Sequence, residues 1–317
     1  MRTLSKLFPD SAFKKNFGGL FLAMIVFLAA RMLHGNFRLI DSDEYFATAE
    51  LLKSGKYFLP ASDVLESISL TKRPFLYPLL LLFPGCMSDI AVVAMQTVLG
   101  LFNLFLMLKI FKDFGGKKYR WVALLIILTP SIFINTHLIL TETAATTLIL
   151  GLFILFSSRL TPKSIFQIQL LLSCLIFLKP AFYFFAVLNL FFFLIYFAKI
   201  RSFRFSVFLP LLLVAAYIGL NKHRTGYAHF SSIQNINLID YNLYLFKMNK
   251  EGFDKAAAWK EDVYNGIDAS DDFKTASFYL DSIGKSEIKN HLLSYSLFHF
   301  FGSVRGMFDP GRFDLMT

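Results

Sequence analysis

The sequence predicts an all-α polytopic membrane protein, and three observations lead to this fold class. The 317 residues are 56% hydrophobic and only 17% charged, whereas about a quarter of the residues in a soluble domain are charged. The mean hydropathy is +0.55, and long apolar runs recur along the chain. Basic residues stand between these runs, as in the cytoplasmic loops of membrane proteins. The net charge of +10 therefore does not indicate nucleic-acid binding.

The first predicted span covers residues 17–33, after a polar and basic segment. No small-x-small cleavage site follows this run, which predicts an uncleaved signal anchor with a cytoplasmic N-terminus. Arg31, His34 and Arg38 lie near the outer end of the span. They either face lipid phosphate or serve as interfacial anchors, and we favour the second interpretation.

The first outer loop, residues 41–88, begins with three carboxylates in four residues: Asp41, Asp43 and Glu44. We expect Ser42 to be the N-cap of a short amphipathic helix that lies on the membrane surface and stops near Gly55. Three prolines, Pro74, Pro78 and Pro84, interrupt the apolar end of the loop. Proline breaks helices, so an interfacial or re-entrant segment is expected there rather than a straight span.

Six further apolar runs complete a predicted module of about seven spans in residues 1–220. The segments between the runs are alternately basic and acidic or mixed. The basic ones, which contain Lys117, Lys118 and Arg201, mark the cytoplasmic side of the membrane. Some runs are shorter than the ~20 residues of a usual span. The runs are 90–110, 121–135, 143–156, 165–178, 181–198 and 205–220.

The remaining residues, 221–317, are predicted to form an extracytoplasmic polar region. Polar and charged residues alternate with Tyr and Phe, which favours a small folded or membrane-resting domain over a disordered tail. Residues 292–301 are apolar again. They predict either a membrane-resting helix or the start of an eighth span.

Charged side chains from several segments are expected at the same outer level of the membrane. Carboxylates there could remove a proton from a hydroxyl, and cations could hold a phosphate. The candidates are Asp41, Asp43 and Glu44 at the start of the outer loop, Lys72 and Arg73 later in that loop, Glu142 before the fourth span, and Lys179 after the fifth.

Four short patterns in residues 20–220 resemble motifs of the GT-C glycosyltransferases. The first is Asp41 to Tyr45 with Ala49, Leu52 and Gly55, which is similar to the family's first-loop signature Asp-x-x-x-Tyr…Ala…Leu…Gly. The second, Arg73-Pro74-x-x-Tyr77-Pro78, differs by one residue from Arg-x-Pro-x-Tyr-Pro. The third and fourth are Thr141-Glu142 and Lys179-Pro180. The likeness is greatest to bacterial relatives of lipid A aminoarabinose transferases and protein O-mannosyltransferases.

This resemblance implies a seven-span module in a bacterial inner membrane, with its active site on the periplasmic face. The donor would be a sugar on polyprenyl phosphate. The acceptor would be a hydroxyl of a lipid, glycan or protein, and the anomeric carbon would be inverted. Some members of the family use a divalent cation, Mg²⁺ or Mn²⁺, for which Asp41, Asp43 and Glu44 would here be the ligands.

The resemblance also implies roles for individual residues. The catalytic carboxylate maps to Asp41 when Tyr45 and Gly55 set the alignment, and to Asp43 and Glu44 when the acidic pair sets it; we favour Asp41. Arg73 or Lys179 would hold the departing lipid phosphate. The expected substrate-binding residues are Tyr45, Lys72, Arg73, Tyr77, Glu142 and Lys179.

Two other functions fit a membrane protein of this composition. One is a transporter or flippase for lipid-linked sugars, and the other is a non-catalytic assembly subunit. A transporter commonly has ionisable groups near the middle of the membrane. Here the apolar runs are nearly free of charge and the ionisable groups gather at one face, which favours an enzyme.

Overall fold

The computed structural model describes residues 11–83, 88–115, 119–200, 203–267 and 272–308. All regular elements within these ranges are helical, which confirms the all-α prediction. Pro84, Lys117, Lys118 and Arg201 lie outside the described residues.

The helices in chain order carry the labels used below. They are α1 Ser11–His34, α2 Ile40–Lys53, α3 Val64–Lys72, α4 Leu76–Leu81, α5 Asp89–Gly115, α6 Tyr119–Ile127, α7 Pro130–Thr136, α8 Glu142–Ser157, α9 Pro162–Leu178, α10 Phe185–Ile200, α11 Leu209–Thr225, α12 Ile233–Ile236, α13 Tyr244–Glu251, α14 Phe253–Asn265, α15 Phe273–Asn290 and α16 Leu292–Phe308. A π-helical segment, Asn237–Leu243, joins α12 to α13.

Four helices in the described ranges are long and apolar enough to cross a bilayer: Ser11–His34, Asp89–Phe114, Pro180–Lys199 and Phe205–Thr225. They coincide with the first, second, sixth and seventh predicted spans and agree with a helical membrane protein. The fourth and fifth predicted spans are apolar helices of 16 and 17 residues. The count of seven spans stays a prediction.

The third predicted span is divided into two helices, α6 and α7. Pro130 is the first residue of α7, where its missing N–H removes no helical hydrogen bond. The residue before a proline is disfavoured in helical geometry, and Thr129 has φ −114° and ψ 80°. The chain therefore leaves the helix between Ile127 and Pro130.

The chain divides into two compact units. Among the described residues, the first contains those of 11–49 and 76–210, and the second contains those of 50–75 and 211–308. The predicted boundary near residue 220 falls within α11, and the predicted domain organisation stays a prediction.

In the first unit, α1, α5 and α7 pack closely around one apolar cluster. Its buried members include Phe13, Leu20, Leu104 and Phe133. A Cβ atom built on Gly100 of α5 would lie 2.4 Å from the Thr136 methyl group of α7. The close approach of α5 and α7 therefore requires glycine at this position.

The second unit has a smaller apolar core built by the π-helical segment, α14 and α15. Ile239, Leu243, Val263 and Leu280 are all buried there. The sequence of residues 254–260 and 272–280 has helical character, and these segments fall within α14 and at the start of α15. A polar region can form this core because its apolar residues recur at helical spacing.

Arg224, at the end of α11, is the largest fully buried side chain among the described residues. Its Nη1 donates a 2.9 Å hydrogen bond to the carbonyl oxygen of Tyr57, and its guanidinium lies 4.3 Å from the centre of the Tyr57 ring. The Tyr57 and Tyr217 hydroxyls are 2.9 Å apart. Arg224 therefore fixes the segment that follows α2 onto α11 within the second unit.

Candidate functional site

Helix α2 carries the predicted catalytic carboxylates, and it begins at Ile40, three residues before the first helical residue expected from an N-cap at Ser42. Ser42 is therefore in the first turn and is not the N-cap. Its Oγ accepts a 2.9 Å hydrogen bond from the Leu39 N–H, as the third helical residue of a capping box does. At the other end, Gly55 has φ +75°, a left-handed conformation that suits glycine, and the predicted stop is confirmed.

One face of α2 is buried against protein. Ser42 is fully buried, and Tyr45, Phe46 and Ala49 are each less than a tenth exposed. The helix is therefore held by packing inside the first unit, a contact that the predicted membrane-surface helix did not include. Its polar face remains available for the predicted chemistry.

The three carboxylates of α2 point in different directions. Successive helical residues are about 100° apart, so Asp43 lies far around the helix from both Asp41 and Glu44. Asp43 is exposed, whereas Asp41 and Glu44 are half-buried. In the described part of the chain, no three His, Cys, Asp or Glu residues are placed to hold a metal ion.

Arg38 binds two carboxylates, an arrangement that sequence reasoning missed. Its Nε and Nη2 donate to Asp89 at 2.7 to 3.0 Å, and its Nη1 lies 3.1 Å from an Asp43 oxygen. The guanidinium is also 4.2 Å from the centre of the Phe46 ring. The hydrogen bond to Asp89 raises the pKa of Arg38 and outweighs the opposite effect of its partial burial, which lowers that pKa. Arg38 is thus an ion-pair partner rather than a simple interfacial anchor.

Tyr45 and Tyr77, from the first and second motifs, pack against each other. Their ring centres are 4.8 Å apart in an edge-to-face arrangement, and both residues are buried. The buried Gln96 of α5 donates through Nε2 to the Tyr77 hydroxyl at 3.1 Å and to the Leu140 carbonyl at 2.6 Å. These contacts connect the first two motifs to the segment just before the third.

Glu142 and Lys179, from the third and fourth motifs, form an ion pair. The Lys179 Nζ donates a 2.8 Å hydrogen bond to Glu142 Oε1, and each side chain is 39% exposed. Glu142 is the first residue of α8, where a carboxylate is favoured by the positive end of the helix. Lys179 directly follows the last residue of α9. These two predicted site residues therefore lie in contact, and their place at the outer face of a membrane stays a prediction.

One apolar cluster in the first unit brings segments of all four motifs together. It combines residues of α2 and α4, the segment before α8, and the ends of α8 and α9 that carry Glu142 and Lys179. Its buried members include Tyr45, Tyr77, Leu140, Ala145 and Leu178. The motifs are far apart in the sequence, so their convergence is a property of the fold.

Lys72 and Arg73 belong to the second unit. Lys72 ends α3, and Arg73 follows it in an extended conformation and is 9% exposed. The Lys72 carbonyl accepts a 2.8 Å hydrogen bond from the Ser231 hydroxyl. The Thr71 hydroxyl lies 3.0 Å from Nε2 of His229. The predicted meeting of Lys72 and Arg73 with the carboxylates of the first unit stays a prediction.

His137 lies between α7 and α8 and is fully buried. Neither ring nitrogen has a hydrogen-bond partner among the described residues. Burial, with a smaller contribution from the charge of Arg31, lowers the pKa of His137 from 6.5 to about 4. Burial therefore favours the uncharged form of His137 at neutral pH.

The chain was compared with known families and proteins. No family model, curated protein or solved structure matches it. The functional proposal therefore rests on the motifs and on the geometry described above.

Proposed function

We propose that this chain is an integral-membrane glycosyltransferase of the GT-C kind. It transfers a sugar from a polyprenyl-phosphate donor to a hydroxyl acceptor on the periplasmic face, with inversion at the anomeric carbon. The convergence of the four motif segments on one apolar cluster carries this proposal.

Asp41 is the proposed general base. As the acceptor oxygen attacks the anomeric carbon, the bond from that carbon to the lipid-phosphate oxygen breaks and the acceptor proton moves to the Asp41 carboxylate. Polyprenyl phosphate leaves with the bonding electron pair, and Asp41 later returns the proton to water. The alternative base, Asp43, is held by Arg38 at 3.1 Å, and proton transfer to Asp43 would disrupt that ion pair. The spacing of Asp41 to Tyr45 and Gly55 supports Asp41 as the base.

Lys179 is the proposed partner of the departing phosphate in the first unit. A lysine ammonium has three donors, so its hydrogen bond to Glu142 leaves two for phosphate oxygens. Glu142 would then orient Lys179 before the donor binds. Arg73 is the alternative phosphate ligand that the motif resemblance implies, because its planar fork suits phosphate.

The test is sugar transfer by the purified chain in detergent, with a labelled polyprenyl-phosphate sugar and a panel of hydroxyl acceptors. Acceptor-dependent release of polyprenyl phosphate, lost in Asp41→Asn, supports the proposal. The same donor is then placed in one leaflet of proteoliposomes. Movement of the intact donor to the other leaflet without its cleavage would identify a flippase and contradict the proposal.

A further inference from the structure

A cavity of about 580 Å³ lies between α13 and α16 in the second unit. From α13 it is lined by Phe246, Asn249 and Lys250, and α16 contributes residues such as Phe301 and Arg305. None of these residues belongs to the motifs of the proposed function.

The apolar side of this cavity continues onto an exposed helix face. Leu293 is 75% exposed and Phe301 is 64% exposed, and α16 contains no Asp or Glu. Exposed apolar residues in such a continuous array indicate contact with lipid or another apolar surface. A helix with one apolar face and basic residues beside it is typical of membrane-interface helices.

Both charged residues that line the cavity within the described part of the chain are cations. They are Lys250 and Arg305, and no acidic residue of the described ranges lines it. The acids Glu251 and Glu287 instead lie beside the buried Lys247, at 3.9 and 3.0 Å from its Nζ. The cavity is therefore complementary to an anion, and basic residues next to an apolar helix face are favourable for anionic lipid headgroups.

Two neutral polar residues complete the lining and narrow the class of lipid. Asn249 and Ser294 can hydrogen-bond to the ester and glycerol oxygens that separate a phospholipid headgroup from its chains. In polyprenyl phosphate, the hydrocarbon begins directly at the phosphate ester. We propose that the cavity between α13 and α16 is a binding site for an anionic glycerophospholipid. Lys250 and Arg305 bind its phosphate, and an acyl chain lies against Phe246 and Phe301.

Native mass spectrometry of the full chain in a neutral detergent tests this site. The probes are a phosphatidylglycerol, a phosphatidylcholine with the same chains, and undecaprenyl phosphate. We expect phosphatidylglycerol to bind most tightly. A basic residue near a lipid surface contributes about fivefold to affinity, so Lys250→Ala with Arg305→Ala should weaken phosphatidylglycerol binding about 25-fold. The control pair, Lys255→Ala with Lys274→Ala, removes the same charge from exposed residues outside the cavity and should change binding less than about twofold.

A second variant places an apolar side chain in the cavity without changing the charge of its lining. Gly302 lines the cavity, and a Cβ there meets no atom within 4 Å, so Gly302→Leu can be accommodated. Leucine is also a better helix former than glycine, so the fold should be retained while phosphatidylglycerol binding is lost. Equal binding of phosphatidylcholine, tighter binding of undecaprenyl phosphate, or unchanged binding in Gly302→Leu would each overturn the proposal. So would a dimer that the Gly302→Leu substitution dissociates, because a second copy would then occupy the cavity.

Discussion

The hydroxyl of Ser42 donates a 2.8 Å hydrogen bond to the backbone carbonyl of Ile139, 97 residues later in the chain. Ile139 also donates from its own N–H to the Phe37 carbonyl oxygen at 2.9 Å. These two bonds hold the start of α2 against the segment that precedes Glu142. The position of the predicted base relative to the third motif therefore depends on one buried serine.

Replacing Ser42 by alanine should destabilise the first unit. The substitution leaves the Ile139 carbonyl without its donor in a buried position, which costs about 1–3 kcal/mol. The thermal unfolding midpoint of the detergent-purified variant measures this loss. The matched control is Ser54→Ala, because Ser54 directly follows α2 and its exposed hydroxyl donates to the nearby Leu51 carbonyl. Equal midpoints for the two variants would contradict the proposed role of the Ser42 bond.

The sequence predicted the helices better than it predicted their packing. All of the apolar runs contain helices because hydropathy is a local property, and the Gly55 stop followed from one residue type. The break at Thr129 and Pro130 was missed, although Pro130 was visible in the third run. The start of α2 was also missed, because Ser42 has the residue type of an N-cap but bonds to a distant carbonyl.

The candidate site was also predicted only in part, because local sequence patterns do not give distant side-chain contacts. The contact between Glu142 and Lys179 followed from topology, since both residues were placed at outer helix ends. The bond from Arg38 to Asp89 was not predicted, because it joins the ends of two spans and depends on side-chain geometry. The only sequence signal was a basic residue after the first span and an acidic residue before the second.

The stability of the first unit should depend on pH through His137. Its pKa is lowered from 6.5 to about 4 on folding, so between these values the unfolded state binds a proton that the folded state does not. Stability is therefore fully present above pH 6.5 and falls as the pH decreases toward 4, by on the order of 3 kcal/mol. Unfolding in detergent at a series of pH values measures this slope.

The His137→Leu variant checks the assignment. Leucine cannot bind a proton. The loss of folding stability between pH 6.5 and 4 should therefore be smaller by the amount that His137 contributes. The exposed His34 lies outside the cluster around α8, and His34→Leu serves as the control. A slope that persists in His137→Leu would assign the titration to another group.

The ion pair between Glu142 and Lys179 should matter more for the proposed transfer than for stability. Both side chains are 39% exposed, and an exposed pair contributes less than about 1 kcal/mol. Lys179→Met should therefore leave the unfolding midpoint nearly unchanged but raise the KM for the lipid-phosphate donor. Lys179→Arg should restore part of the donor affinity. An equal change in the KM for donor and acceptor would indicate a general distortion of the site.

Turnover should depend most strongly on Asp41 among the three carboxylates of α2. A positioned carboxylate that accepts the acceptor proton contributes about 10²–10⁴-fold in rate, and Asp41→Asn keeps the shape of the side chain but cannot accept a proton. The variant should therefore lose sugar transfer while expression, membrane insertion and donor binding persist. Asp43→Asn removes a partner of Arg38, which still holds Asp89 at 2.7 Å, and should cost less.

Turnover of purified variants with a labelled polyprenyl-phosphate sugar separates the two alignments of the first motif. Glu44→Gln is the matched control, because Glu44 is half-buried on the same helix as Asp41 and carries the same charge. Near-normal turnover of Asp41→Asn together with an inactive Asp43→Asn would move the base to Asp43, and the pair with Arg38 would then have to open during the reaction. Near-normal turnover of all three variants would remove α2 from the chemistry, and its packing against Tyr77 would then be its only role.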